Sequence, residues 1–154
     1  MNDSNKSKIF LILTIMMTIT IWFNSILPAS VSSDQSGFIV GIAQSIFSFF
    51  RIEMNHDDLS LMIRKFAHFG QFFLLGIFWF QYLFSVLKNE KLVHWYAFLF
   101  CILTAIIDES IQLFSDGRAF QVTDILIDIF GSLMAISAFL FTRYLIKKSK
   151  GEPI

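Results

Sequence analysis

Cysteine, proline, glycine and charge are the scarce components of this sequence. A single cysteine, Cys101, stands among 154 residues. That excludes an intrachain disulfide framework and any zinc site built on thiolates. Two prolines, seven glycines and no low-complexity linker exclude fibrous repeats and long disorder. Charged residues make up 16% of the chain, where a soluble domain carries about 25%. The 12 basic and 12 acidic residues cancel, so no overall field draws in a nucleic-acid partner. What is abundant is apolar: 55% of residues are hydrophobic, 20 are Phe, and the mean hydropathy is +0.65. That composition belongs in a bilayer.

At 1.5 Å of rise per residue, a helix needs about 20 mostly apolar residues to cross a hydrocarbon core roughly 30 Å thick. Four stretches qualify: residues 9–27, 66–87, 92–114 and 125–146. Pro28 closes the first, Lys88-Asn89-Glu90-Lys91 and Ser115-Asp116-Gly117-Arg118 form the next two connections, and Lys147, Lys148 and Lys150 end the last. The first run exceeds the apolar core of about 7–15 residues usual in a signal peptide, so it is expected to stay as an anchor, although Ser30-Val31-Ser32 would suit cleavage. Residues 38–50 are too few to span. They place Ile39, Ile42, Ala43, Ile46, Phe49 and Phe50 on one helical stripe, with Gln44, Ser48 and Arg51 opposite. This segment reads equally as a helix packed on the bundle or as one lying in the membrane interface. The expected fold is therefore all-α, an integral membrane four-helix bundle forming a single domain over residues 1–154, with one short amphipathic surface helix between the first and second spans.

Basic residues set the orientation. With the N-terminus in the cytoplasm, the inner segments hold eight of the 12 cations (Lys6, Lys8, Lys88, Lys91, Arg143, Lys147, Lys148, Lys150) and the outer ones hold four (Arg51, Arg64, Lys65, Arg118). Both termini are expected inside. Counted from the cytoplasmic ends, His68, Asp108, Glu109, Gln112, Asp124 and Asp128 then fall near the outer interface. Arg64 and Lys65 stand one turn from His68, Asp108 is paired with Gln112 and Asp124 with Asp128, each at helical spacing, and Gly131 extends the last face. Asp and Glu side chains are too short to reach water as Lys and Arg do, so carboxylates inside spans favour cationic or hydrogen-bonding partners. Three cations and four carboxylates nearly cancel, as a self-paired network should. Such pairs could simply lock the bundle. Alternatively they form a polar pocket open to the outside, with Arg64, Lys65, His68, Asp108, Glu109, Gln112, Arg118, Asp124 and Asp128 as its binding residues.

The segments Lys65-Phe66-Ala67-His68-Phe69 with Phe72 and Leu75-Gly76, Asp108-Glu109-Ser110-Ile111-Gln112-Leu113-Phe114 with Gly117-Arg118, and Asp124, Asp128 and Gly131 together resemble the VanZ-like family of small bacterial membrane proteins. The resemblance runs over roughly residues 63–141. Three positions depart from the family's pattern: Asp128 stands where Asn is common, Phe72 where Tyr is frequent, and Ala135 where a second Gly is usual. The resemblance implies a multi-pass protein of the bacterial plasma membrane and cell envelope, with teicoplanin-type resistance as a family association.

Two functions follow. In the first, the pocket binds a lipid headgroup, a lipid-linked cell-wall precursor or a (lipo)glycopeptide, with Arg118 and Lys65 meeting an anionic group. In the second, an intramembrane enzyme acts on a lipid-linked or phosphorylated substrate through His68, Asp108, Glu109 and Arg118. No nucleotide loop or nucleophile signature supports the second, so a non-catalytic protein is the leading expectation. The carboxylates and His68 are suitable ligand types for a divalent ion, but their spacing matches no metal motif, so neither metal nor cofactor is expected. Membrane lipids are the expected surroundings, and an oligomer is compatible with the sequence.

Overall fold

The computed structural model describes residues 3–151, which form five helices and no strand. They are α1 (Asp3–Ile26), α2 (Ala29–Phe49), α3 (His56–Val86), α4 (Glu90–Gln112) and α5 (Val122–Lys150). Helices α1, α3, α4 and α5 are each long and apolar enough to cross a membrane. Local chemistry fixes their ends. Pro28 biases Leu27 away from helical geometry, which stops α1 and lets α2 start directly afterwards. The Asn55 and Asn89 side chains accept from the backbone N–H groups of Asp57 and Lys91, capping α3 and α4. Acidic residues in the first turns of α3, α4 and α5, and Lys147, Lys148 and Lys150 in the last turn of α5, all match the helix dipole. Gly151, at φ 68°, ends α5 in the left-handed conformation that glycine adopts without a Cβ penalty.

Helix α2 differs from the expected 38–50 segment in length. It begins at Ala29, so Ser30, Ser32, Ser33 and Ser36 are helical. Its apolar stripe is not a packing face: Ile39, Ile42, Ile46, Phe49 and Phe50 are all exposed, Phe49 at 82%, whereas Val40 is buried. The helix packs chiefly on α3 through its other side and leaves the stripe outward. Helix α3 likewise starts at His56 rather than Phe66, since the polar segment ahead of the apolar run is capped and continues the same helix.

The bundle is organised about α3, whose most extensive contact is with α5. Glycine makes that contact close. A Cβ on Gly131 would sit 2.5 Å from the Phe69 carbonyl oxygen, and one on Gly76 would come within 3.1 Å of the Ser132 backbone and 3.2 Å of the Ala135 Cβ. Ala135 is therefore accommodated by a glycine on the facing helix. Two apolar clusters fill the interior, one around Ile21, Phe72, Leu75, Cys101 and Ala105, the other around Phe80, Leu83, Val93, Ala97 and Ile136. Elsewhere the distribution is inverted relative to a water-soluble protein. Large apolar side chains such as Met16, Phe23, Leu126 and Phe141 cover the outside, while Asp108, Glu109, Gln112, Asp124 and Asp128 are each at most 1% exposed.

A polar cluster at one end of the bundle

Four helices and a loop bring the polar residues together. Arg64, Lys65 and His68 stand on adjoining turns of α3, Asp108, Glu109 and Gln112 on the last turns of α4, and Asp124 and Asp128 on the first turns of α5. Gln112 occupies the centre. Its Nε2 donates to Glu109 Oε1 at 2.9 Å and to Asp108 Oδ2 at 3.3 Å, while its Oε1 accepts from Arg64 Nη2 at 3.1 Å. An amide can do this because it offers donors on one side and an acceptor on the other. Arg64 also reaches Asp124 Oδ2 at 3.3 Å, and Lys65 Nζ donates to Asp124 Oδ1 at 3.0 Å. His68 Nδ1 lies 3.2 Å from Asp128 Oδ1. With Asp128 ionised, and so only accepting, this contact takes the proton on Nδ1 and leaves Nε2 as the other ring nitrogen.

Eight of the nine sequence-derived site residues are joined in this way: Arg64, Lys65, His68, Asp108, Glu109, Gln112, Asp124 and Asp128. Arg118 behaves differently. Asp124 stands at a helix start close in the chain to the Arg118 turn. Asp124 is instead held by Arg64 and Lys65, and the buried Arg118 Nε has no hydrogen-bond partner. Burial, with Arg64 nearby, holds the Arg118 guanidinium below its ordinary pKa, against the opposing pull of Asp108 and Glu109. The physical reason is geometric. Gly117 turns at φ 74°, and Ser115 and Asp116 are tied elsewhere, so the loop carries Arg118 toward α1 and α2 rather than back over α5.

Those ties involve residues that the sequence did not single out. Ser25 Oγ donates to Asp108 Oδ1 at 2.5 Å, and Ser115 Oγ donates to the Ser25 carbonyl oxygen at 2.5 Å. The Ala29 N–H donates to the Asp116 carbonyl oxygen at 3.0 Å. Glu109 Oε2 accepts from the Gln121 N–H at 2.7 Å, so a carboxylate from α4 serves the start of α5. Asn24-Ser25, a polar break immediately before Pro28, was the available signal, since it lies at the same end of its span as the other polar groups.

Beside the cluster lies a cleft of about 250 Å³ between α1, α2, α3 and the α4–α5 loop. Ser25, Arg64, His68, Gln71, Asp108 and Arg118 line one side, and Ser32, Ser33 and Ser36 of α2 the other. A larger hollow of about 670 Å³ opens between the end of α2 and the start of α3, but it is lined by residues such as Gln44, Arg51 and Glu53 and none of the cluster reaches it.

Taken together, these helices and this buried cluster define an all-helical membrane protein with a polar site built from several of its spans. The VanZ/LLP1 family model matches residues 10–144, and the chain belongs to that family. The match includes all nine site residues. Comparison with curated proteins gave no match, and comparison with solved structures gave none either.

Proposed function

We propose that the chain is a multi-pass protein of the bacterial plasma membrane, with both termini cytoplasmic, whose cleft faces outward and binds the anionic group of an envelope lipid, a lipid-linked cell-wall precursor or a lipoglycopeptide. The observation that carries this reading is Arg118, a half-buried guanidinium beside the cleft that forms no ion pair with any carboxylate among the described residues. A planar guanidinium offers paired N–H donors to a phosphate or carboxylate, and an anion bound there would restore what burial removes. The α2 serines add neutral donors and acceptors suited to hydroxyls. Family membership agrees with a role in the envelope, and teicoplanin tolerance is the phenotype to examine first.

The test uses purified full-length protein in lipid nanodiscs, titrated with phosphatidylglycerol, a soluble undecaprenyl-phosphate analogue or teicoplanin. Arg118→Ala should weaken binding of the true ligand at least tenfold while its thermal midpoint stays near wild type. Unchanged affinity for all three ligands in this variant would overturn the proposal.

The His68–Asp128 pair favours a second reading as an enzyme. A carboxylate that orients an imidazole leaves the other ring nitrogen available as a general base, here beside Asp108, Glu109 and the Arg118 cation. Under this reading a lipid-linked or phosphorylated substrate is consumed during incubation with wild type and persists with His68→Ala.

A further inference from the structure

The ionised groups of the cluster do not balance locally. Both cations of α3 are committed to one acid, since Arg64 and Lys65 each contact Asp124. Asp108, Glu109 and Asp128 are each at most 1% exposed, and none of them contacts a lysine or arginine. Their hydrogen-bond partners are the Ser25 hydroxyl, the Gln112 amide, the Gln121 N–H and the His68 ring. These partners carry no formal charge while His68 is neutral. Arg118, the remaining cation nearby, forms no ion pair with any of them. Three buried carboxylates are thus set against one unpaired guanidinium, and the cluster as a whole, three cations against four carboxylates, carries one excess negative charge while His68 is neutral. Burying ionised carboxylates without countercharge is among the most unfavourable arrangements available to a protein.

A second observation concerns what these groups surround. One ligand atom each from His68, Asp108 and Glu109 lies within 4.8 Å of the other two. Ligands held at about 2.0–2.2 Å by one tetrahedral ion lie about 3.4 Å apart, so the trio closes on an ion by shifts of up to about 1.4 Å. Asp128 completes the pattern. It holds His68 through Nδ1, which is how a carboxylate fixes a metal-binding imidazole so that its other nitrogen faces the ion. Its second oxygen, Oδ2, is buried without any partner among the described residues, and the residue is 0% exposed.

We infer that His68, Asp108 and Glu109 bind one divalent cation, with Asp128 as the residue that positions His68. One nitrogen and two carboxylate oxygens suit an ion that accepts mixed donors, zinc(II) or manganese(II), and fit less well with the all-oxygen surroundings typical of calcium. The ion supplies the countercharge that Asp108 and Glu109 lack among their hydrogen-bond partners. The inference rests on the local charge balance and geometry and does not depend on which anion Arg118 receives.

Full-length protein in detergent, stripped with a chelator and dialysed, is titrated with zinc(II) or manganese(II) chloride alone. Elemental analysis and thermal unfolding are then recorded. Wild type should retain one ion per chain and gain several degrees in thermal midpoint, reversed by the chelator. Asp128→Asn keeps the shape of the side chain and should raise the Kd about 10–100-fold. His68→Ala combined with Asp108→Asn should abolish retention, whereas Glu90→Gln, far from the cluster, should behave as wild type. Wild type that binds well below one ion per chain, with no thermal response to either salt, overturns the inference even if the substituted proteins fail to fold. Stoichiometric retention by the double variant also overturns it. An infrared band of protonated carboxylic acid in wild type that is unchanged by either metal would show that protons supply the missing charge, and would overturn it as well. A positive metal result with unchanged Arg118→Ala ligand binding separates this inference from the anion-binding proposal.

Discussion

Gln112 is the residue on which the cluster turns, because it alone touches both the acidic pair of α4 and the basic pair of α3. Replacing it with Leu would leave Asp108 and Glu109 facing each other without the amide between them and would leave Arg64 one acceptor short. Each buried polar group left unpaired costs about 1–3 kcal/mol, and membrane surroundings reduce that figure because alternative partners are found in the unfolded state. Gln112→Leu should therefore lower stability by about 2 kcal/mol, read as a fall in thermal midpoint in detergent. Arg118→Ala should lower it by less than about 1 kcal/mol, since the side chain makes no ion pair to lose. This contrast separates residues that hold the cluster from one that stands beside the cleft. Much of the distinction was legible in advance. The depth of Asp108, Glu109 and Asp128 in apolar runs announced that they needed partners, and helical spacing put Asp108 beside Gln112. The identity of the partners was not legible. Arg118 is nearer to Asp124 in the chain, but pairing across helices depends on rotation about each helix axis, which places Arg64 and Lys65 there instead.

Among the elements, α3 and α5 form the tightest seam, and glycine decides how close they come. Gly131→Ala would put a methyl group 2.5 Å from the Phe69 carbonyl oxygen, a backbone atom that cannot swing aside. The helices must separate, at a cost of about 1–3 kcal/mol. Gly70 offers the control: it lies on the same face-to-face pair of helices, yet a Cβ there meets nothing within 4 Å. Gly70→Ala should be neutral or stabilising by about 0.5–1 kcal/mol through helix propensity. Chemical or thermal denaturation of both variants checks the pair, and equal behaviour would show that the seam is looser than described. The same scale explains what periodicity missed in α2. Its first turns present serines to a polar cleft, so the apolar stripe that marks an amphipathic helix starts only at Phe38. A helix facing a polar cavity carries no hydrophobic signal on that side.

For the whole molecule, the testable quantity is its orientation. Asp116 is exposed in the α4–α5 loop, and the chain's own thiol, Cys101, is fully buried. Asp116→Cys in intact cells should react with a membrane-impermeant maleimide from outside, with little background from Cys101. Labelling only after the membrane is permeabilised would reverse the proposed topology and turn the cleft toward the cytoplasm. The four spans themselves were readable because length and apolar content are properties of the chain taken locally. Their arrangement around α3, with α1 and α4 packed on it and on each other and α5 against the glycine seam, was not, because apolar faces in a bilayer do not say which neighbour they meet.

That last point gives the buried polar cluster a consequence separate from any ligand. Lipid tails solvate phenylalanine about as well as a neighbouring helix does, so the Phe-rich exterior leaves the helices nearly free to rotate about their axes. Gln112, Asp124 and His68 remove that freedom. Each can be satisfied at only one rotational setting of its helix, and together they act as a combination lock with one opening position. A sequence that kept every apolar residue but lost these contacts would still insert its four spans, and would populate many alignments of them rather than one.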